Sequence, residues 1–215
     1  IDASGSGVAT ITSGGRVTIV GAGSATISVI QDACGNFTPR TVTGVLVVSP
    51  IDPTIGALTV PAKNFRDASF NITAPTTDSS GAFTYSIDAS GSGVATITSG
   101  GRVTIIGTGS ATITATQDAS GNFTARTVTA ALVVSPIAPT LGTFTVPGKL
   151  FRDTPFNLTA PTTDSSGSFT YTIDASGTGV ATVTSGGRVT IVGAGSATIS
   201  AIQDACGNFT ARTIT

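Results

Sequence analysis

Few side chains in this 215-residue chain are of a type that does chemistry, and each recurs at a fixed interval. The thiols are Cys34 and Cys206. Five asparagines stand in the N-x-[ST] pattern of N-glycosylation acceptors: Asn36, Asn71, Asn122, Asn157 and Asn208. The chain has no histidine, so Ser-His-Asp and Cys-His nucleophiles and imidazole metal sites are excluded. Asp67, Asp78, Asp88 and Asp118 are scattered without the D-x-D-x-D spacing of a calcium loop, and read as turn caps. Asp52 sits where the next copy has Ala138, which argues against a repeated cation site. Gly107-Thr108-Gly109 lacks the Lys of a phosphate loop and reads as a turn. Lys63, Arg102 and Arg126 are cations of a solvated strand face, with an acidic-ligand site as the sharper alternative.

The interval is 86 residues. Ile1-Asp2-Ala3-Ser4-Gly5 returns at Ile87 and again at Ile173, with no insertion or deletion between copies. The chain therefore holds two and a half copies of one module. Ser49-Pro50-Ile51-Asp52-Pro53 and Ser135-Pro136-Ile137-Ala138-Pro139 are stiff junctions. They predict the C-terminal part of a module over 1–50, a complete module over 51–136, and a nearly complete one over 137–215, which lacks the end of its last strand. Because Ile1 falls inside a module, the sequence reads as a window on a longer polypeptide.

Cys34 and Cys206 occupy one module position, where the middle copy has Ser120, so the larger repeat is a pair of modules. Modules in line would hold the thiols about 70–80 Å apart, at about 3.3 Å per strand residue. A disulfide needs Cα atoms within about 7 Å, which disfavours an intrachain bond. Two readings stand: free, inert thiols, or an intermolecular crosslink between neighbours in an assembly.

Within the complete module the polar–apolar pattern has period two. Phe70, Ile72 and Ala74 alternate with polar residues, as do Phe83, Tyr85 and Ile87, and Ala111, Ile113 and Ala115 alternate with threonines. The expected strands are Ile55–Val60, Ser69–Ala74, Phe83–Ile87, Val94–Thr98, Arg102–Ile106, Ser110–Gln117 and about Phe123–Val134. Turn signals such as Ser99-Gly100-Gly101 separate them. No segment has helical periodicity. The prediction is an all-β fold: tandem antiparallel β-sandwiches of about seven strands per module, with a closed barrel second. Phe70, Phe83, Tyr85, Ile97, Ile113 and Leu132 are the expected core, each worth about 1.5–3 kcal/mol when buried.

Val94-Ala95-Thr96-Ile97, then Val103-Thr104-Ile105, then Gly107-Thr108-Gly109-Ser110-Ala111-Thr112-Ile113-Thr114-Ala115 resembles the core signature of bacterial immunoglobulin-like domains of the group 2 type. The signature recurs at 8–29 and 180–201. The resemblance implies an Ig-like sandwich of the kind found in tandem in intimin- and invasin-like adhesins and in phage virion proteins. It implies no catalytic residues and no cofactor. The inter-sheet disulfide and buried Trp of antibody domains are absent here.

Charged residues make up 10% of the chain, against about 25% in ordinary domains, and net charge is −1. Without a basic patch, nucleic acid is not an expected partner. No apolar run is long enough to span a bilayer. So uncharged a surface suits packing against copies of itself, or a coat of sugar. The leading expectation is a non-enzymatic, extracellular or cell-surface repeat protein that forms a fibre, filament or stalk from copies of itself. The alternatives are an adhesin that binds a cell-surface glycan or protein, and a virion fibre or decoration protein.

Overall fold

The structure is a computed structural model and describes residues 3–215. Its regular elements are strands, with short 3-10 turns at Ala3–Gly7, Ala89–Gly93 and Ala175–Gly177. The first module carries β1 (Ala9–Ile11), β2 (Val17–Ile19), β3 (Gly23–Gln31) and β4 (Arg40–Val48). The second carries β5 (Lys63–Asn64), β6 (Phe70–Asn71), β7 (Phe83–Ile87), β8 (Ala95–Ile97), β9 (Arg102–Ile105), β10 (Gly109–Gln117) and β11 (Arg126–Ser135). The third carries β12 (Phe156–Asn157), β13 (Phe169–Ile173), β14 (Ala181–Val183), β15 (Arg188–Ile191), β16 (Ile199–Gln203) and β17 (Arg212–Ile214).

In the second module the strands form two sheets, ordered β5-β11-β10-β7 and β6-β9-β8. Their facing side chains make the core: Val103, Ile113 and Leu132 are fully buried, with Ala95, Ala111 and Ala115 between them. Small residues on β10 let the two sheets approach, and the large ones opposite fill the gap. Phe70, Phe83, Tyr85 and Ile97 are only half-buried and pack around this centre rather than forming it. The third module repeats the arrangement with sheets β12-β15-β14 and β13-β16-β17. The second and third modules are tandem β-sandwiches, as the alternation of residues predicts, and of the Ig-like kind that the resemblance implies.

Three details differ from the expected strands. Ile55–Val60 is not a strand: Ile55 bridges Thr77 and Gly56 N donates to Thr76 O at 2.8 Å, and the pairing goes no further before Pro61. The edge of the larger sheet is taken instead by β5, which pairs parallel with β11. The strand expected over Ser69–Ala74 shrinks to β6, although Ile72 N still donates to Gly101 O at 2.9 Å. Gly101 sits there at φ +87°, and a Cβ would lie 3.0 Å from the Tyr85 ring, so the turn requires glycine.

Gln117 ends the inner face of β10 with no exposed surface. Its Nε2 donates to Ser79 O (3.2 Å) and Gly81 O (2.9 Å), and Thr77 Oγ1 donates to its Oε1 at 2.8 Å. One amide thus fixes the Thr77–Gly81 turn to the sheet. Gln203 repeats these bonds with Ser165, Gly167 and Thr163.

Candidate functional site

The surfaces where different parts of the chain meet lie at the module junctions, and they are built from repeated loops. Each Pro-containing segment is first fixed to the module that follows it. Ile51 N donates to Asn122 O (2.9 Å) and Thr124 N to Ile51 O (2.8 Å). Ile137 pairs with Asn208 and Thr210 in the same way. Arg126 Nη1 donates to Pro53 O at 2.7 Å, and Arg212 Nη1 to Pro139 O at 2.6 Å. Thr54 N and Thr140 N donate to Asp78 and Asp164, both at 2.8 Å. Pro53 and Pro139 are fully buried. These segments are bonded to the sandwich surface through Ile51, Pro53 and Thr54, and through Ile137, Pro139 and Thr140, and are not free tethers.

The bonds between modules follow. Asn122 Oδ1 accepts from Ala22 N of the preceding module at 2.7 Å, and Asn208 Oδ1 accepts from Thr108 N at 2.8 Å. The two pairs span the same 100 residues of sequence, so one latch is used at both junctions. The receiving turn is shaped by glycine. A Cβ on Gly107 would lie 2.5 Å from Gly93 O and 3.3 Å from Asn208 Oδ1, and Gly21 is equally enclosed by Gly7 O and Asn122 Oδ1.

A second contact joins the second and third modules. Arg66 has left-handed backbone, φ +69°, which is uncommon outside glycine. The turn is held by Asn64 N donating to Asp67 Oδ2 (2.8 Å) and Asp67 N to Asn64 O (3.1 Å). It aims the guanidinium at Asp164 Oδ2, 2.6 Å away, and over the Phe209 ring, 5.1 Å from its centroid. Phe65 meets Phe209 edge-on at 5.7 Å. The Arg66 bond, helped by Thr140 N and opposed by partial desolvation, holds the Asp164 carboxyl below its ordinary range.

The residues singled out from the sequence fall as follows. Asn122 and Asn208 are junction residues, and Asn36 holds the same module position in an exposed loop. Asn71 and Asn157 are exposed on β6 and β12, opposite Arg102 and Arg188. Both thiols are free within the chain. Cys34 is exposed, while Cys206 is half-buried with Sγ 3.3 Å from Ser166 Oγ. Asp88 caps a turn, accepting from Thr112 N (3.0 Å) and Ser90 Oγ (2.5 Å), and Asp52 accepts from Thr124 Oγ1. Arg102 bonds Ser69 Oγ (2.8 Å), Arg126 bonds Pro53 O, and Lys63 stands over Phe70, so these cations do not act on one ligand. Among the described residues no cluster of three or more His, Cys, Asp and Glu could hold a metal. Among the described residues no helix is long and apolar enough to cross a membrane. The latch asparagines and the Arg66–Asp164 pair were not legible as partners, although an Arg between Phe65 and Asp67, in a loop that recurs as Phe151-Arg152-Asp153, was the available signal.

Residues 157–214 match the bacterial Ig-like domain (group 2) family. No curated protein matches the chain. Among solved structures, the chain is similar to Drosophila N-cadherin EC1-3, at 12% identity over 97% of this chain and 83% of that one, TM-score 0.36. It is similar to mouse cadherin-23 EC22-24 at 15% identity over 88% and 71%, TM-score 0.34. A SusE-like, surface-located polysaccharide-binding protein of Bacteroides thetaiotaomicron is similar at 13% identity over 96% and 40%, TM-score 0.32. The match to the bacterial Ig-like domain (group 2) model lies within the third module, and the modules before it repeat that module's sequence.

Proposed function

We propose that this chain is a non-enzymatic structural spacer: Ig-like modules with boundaries near residues 50 and 136, held in a fixed row as part of an extracellular fibre, filament or surface stalk. The observation that carries this reading is the repetition of one junction bond, Asn122 to Ala22 N and Asn208 to Thr108 N, at the same sequence separation. A repeated bond gives each module the same relation to the next, which is what a spacer needs and a single binding site does not. The grooves on the third and first modules support it, since Lys149 is the one charged residue in their linings. The partners are copies of the same module. Crosslinking through Cys34 and Cys206, and sugar on the exposed Asn71 and Asn157, are compatible additions.

Small-angle scattering on the purified chain tests the reading. A spacer gives one maximum dimension, unchanged by temperature below melting. A broad distribution of dimensions, with modules reorienting freely, overturns it.

A further inference from the structure

We infer that rows associate side by side through the outer face of the larger sheet, which packs against the same face of a second copy. This rests on the spacer reading and adds the surface on which its partner sits.

The alternation that fills the core also makes this face. On β7, β10 and β11 the residues between the inward ones point outward. The register sets them in rungs: Thr84, Thr116 and Thr127 lie side by side across the three strands, and Ser86, Thr114 and Thr129 form the next rung. Farther along β11, Val133 points outward and is 47% exposed. None of these side chains is charged, and Asp88 and Asp118 lie beyond the strand ends. The second module is latched to a neighbour at each end, and Thr84, Thr127 and Thr129 stay exposed with both latches made. In the third module the rung is Thr170, Ile202 and Thr213, with an isoleucine at its centre.

Charge and area select the occupant. The outer face of the smaller sheet carries Arg102, exposed on β9 opposite Asn71, and the arginine recurs as Arg16 and Arg188. Two copies paired through that face would bring like charges together, whereas the larger sheet brings none. β10 has nine residues, so the face is about 30 Å long and, over three to four strands, about 14–19 Å wide. Two such faces bury on the order of 1,000 Å² in total, at the lower limit for a specific interface. One patch meeting itself makes an isologous, twofold pair. A single pair of modules therefore associates weakly, and each further module that a row presents adds the same area.

Sedimentation velocity across rising concentration tests the inference. A cationic variant carries Thr129→Lys with Ile202→Lys, an anionic one carries Thr129→Asp with Ile202→Asp, and Thr104→Lys places a charge on the smaller sheet as control. The parent chain should show a sedimentation coefficient that climbs with concentration. The cationic and anionic variants should each lose at least about tenfold in association when alone, because each face then meets its own charge. Mixed together they should associate again, which a misfolded variant would not do. The Thr104→Lys chain should behave as the parent. A parent that stays monomeric, face variants that associate as the parent does, a mixture that stays monomeric, or an equal loss from Thr104→Lys overturns the inference. Monomers with one maximum dimension by scattering would leave the spacer reading standing while refuting this one.

Discussion

Gln117→Leu should destabilise the second module far more than its size suggests. The substitution keeps the volume near that of the amide but removes three bonds. Ser79 O and Gly81 O lose their donor inside the protein, and Thr77 Oγ1 loses its acceptor. The Thr77 side chain reaches solvent and can rehydrate, whereas Ser79 is buried and the amide site has no exposed surface. A buried carbonyl left without a partner costs about 1–3 kcal/mol, and replacing the amide by a methyl-bearing side chain returns part of that. The net loss is about 2–3 kcal/mol, which lowers the melting temperature of a module of this size by about 10–20 °C. The chain holds its own control. Gln31 has the same module position but is exposed, so Gln31→Leu should stay within about 0.5 kcal/mol. Calorimetry of the two variants and the parent decides it. Equal effects at the two positions, or a neutral Gln117→Leu, would refute the claim that this amide anchors the turn.

The junction makes its own predictions. Arg66→Ala with Asn208→Ala removes a hydrogen bond of about 0.5–1.5 kcal/mol and ring contacts of similar size, together with the solvent-screened ion pair to Asp164. The closed arrangement of the second and third modules should fall at least about tenfold, read as a broadened spin-label distance distribution with unchanged circular dichroism. Gly107→Ala should lower the melting temperature of the second module and open the same junction, because its Cβ would sit 2.5 Å from Gly93 O. Asp88, Asp174 and Asp164 have folded-state pKa values below the ordinary 3.8, the first two chiefly through the Ser90 and Ser176 hydroxyls and the third through Arg66. Their stabilisation is therefore complete above the unfolded-state value and lost as pH falls through the depressed folded ones. Urea midpoints should be flat from neutral pH to about 5 and decline below 4, and Asp88→Asn with Asp174→Asn should flatten that decline.

The period-two pattern made the sandwich readable, because alternation along a strand directly reports which face is buried. Ile113, Ala115 and Leu132 were identified that way and lie at the centre. Weighting by size misled for Phe83 and Tyr85: aromatic rings at the edge of a small sandwich reach its rim, and the middle needs the thinner Val103 and Ala95. Gln117 was invisible because a polar residue at the end of a strand looks like a solvated terminus until the turn it bonds is in place. Asn122 and Asn208 carried a sequence signal, but for sugar attachment. Their junction role depends on a turn 100 residues away, and local patterning cannot report a contact at that separation.

The latch also explains which residues the repeat is free to change. Asn122 and Asn208 bond a backbone N–H, so the side chain on the receiving residue is not read: Ala22, Thr108 and Ala194 occupy that position without altering the donor. The residue before it is held as Gly21, Gly107 and Gly193, since a side chain there would collide with the carbonyl of Gly7, Gly93 or Gly179. A junction defined by backbone groups and one glycine tolerates drift in the surrounding side chains while keeping its geometry. Ala22 and Thr108 are therefore interchangeable in principle, whereas Gly107 is not. A row built this way stays regular because the latch common to both junctions uses neither charge nor metal, only the Gly-Asn-Phe that docks and the Gly that receives it.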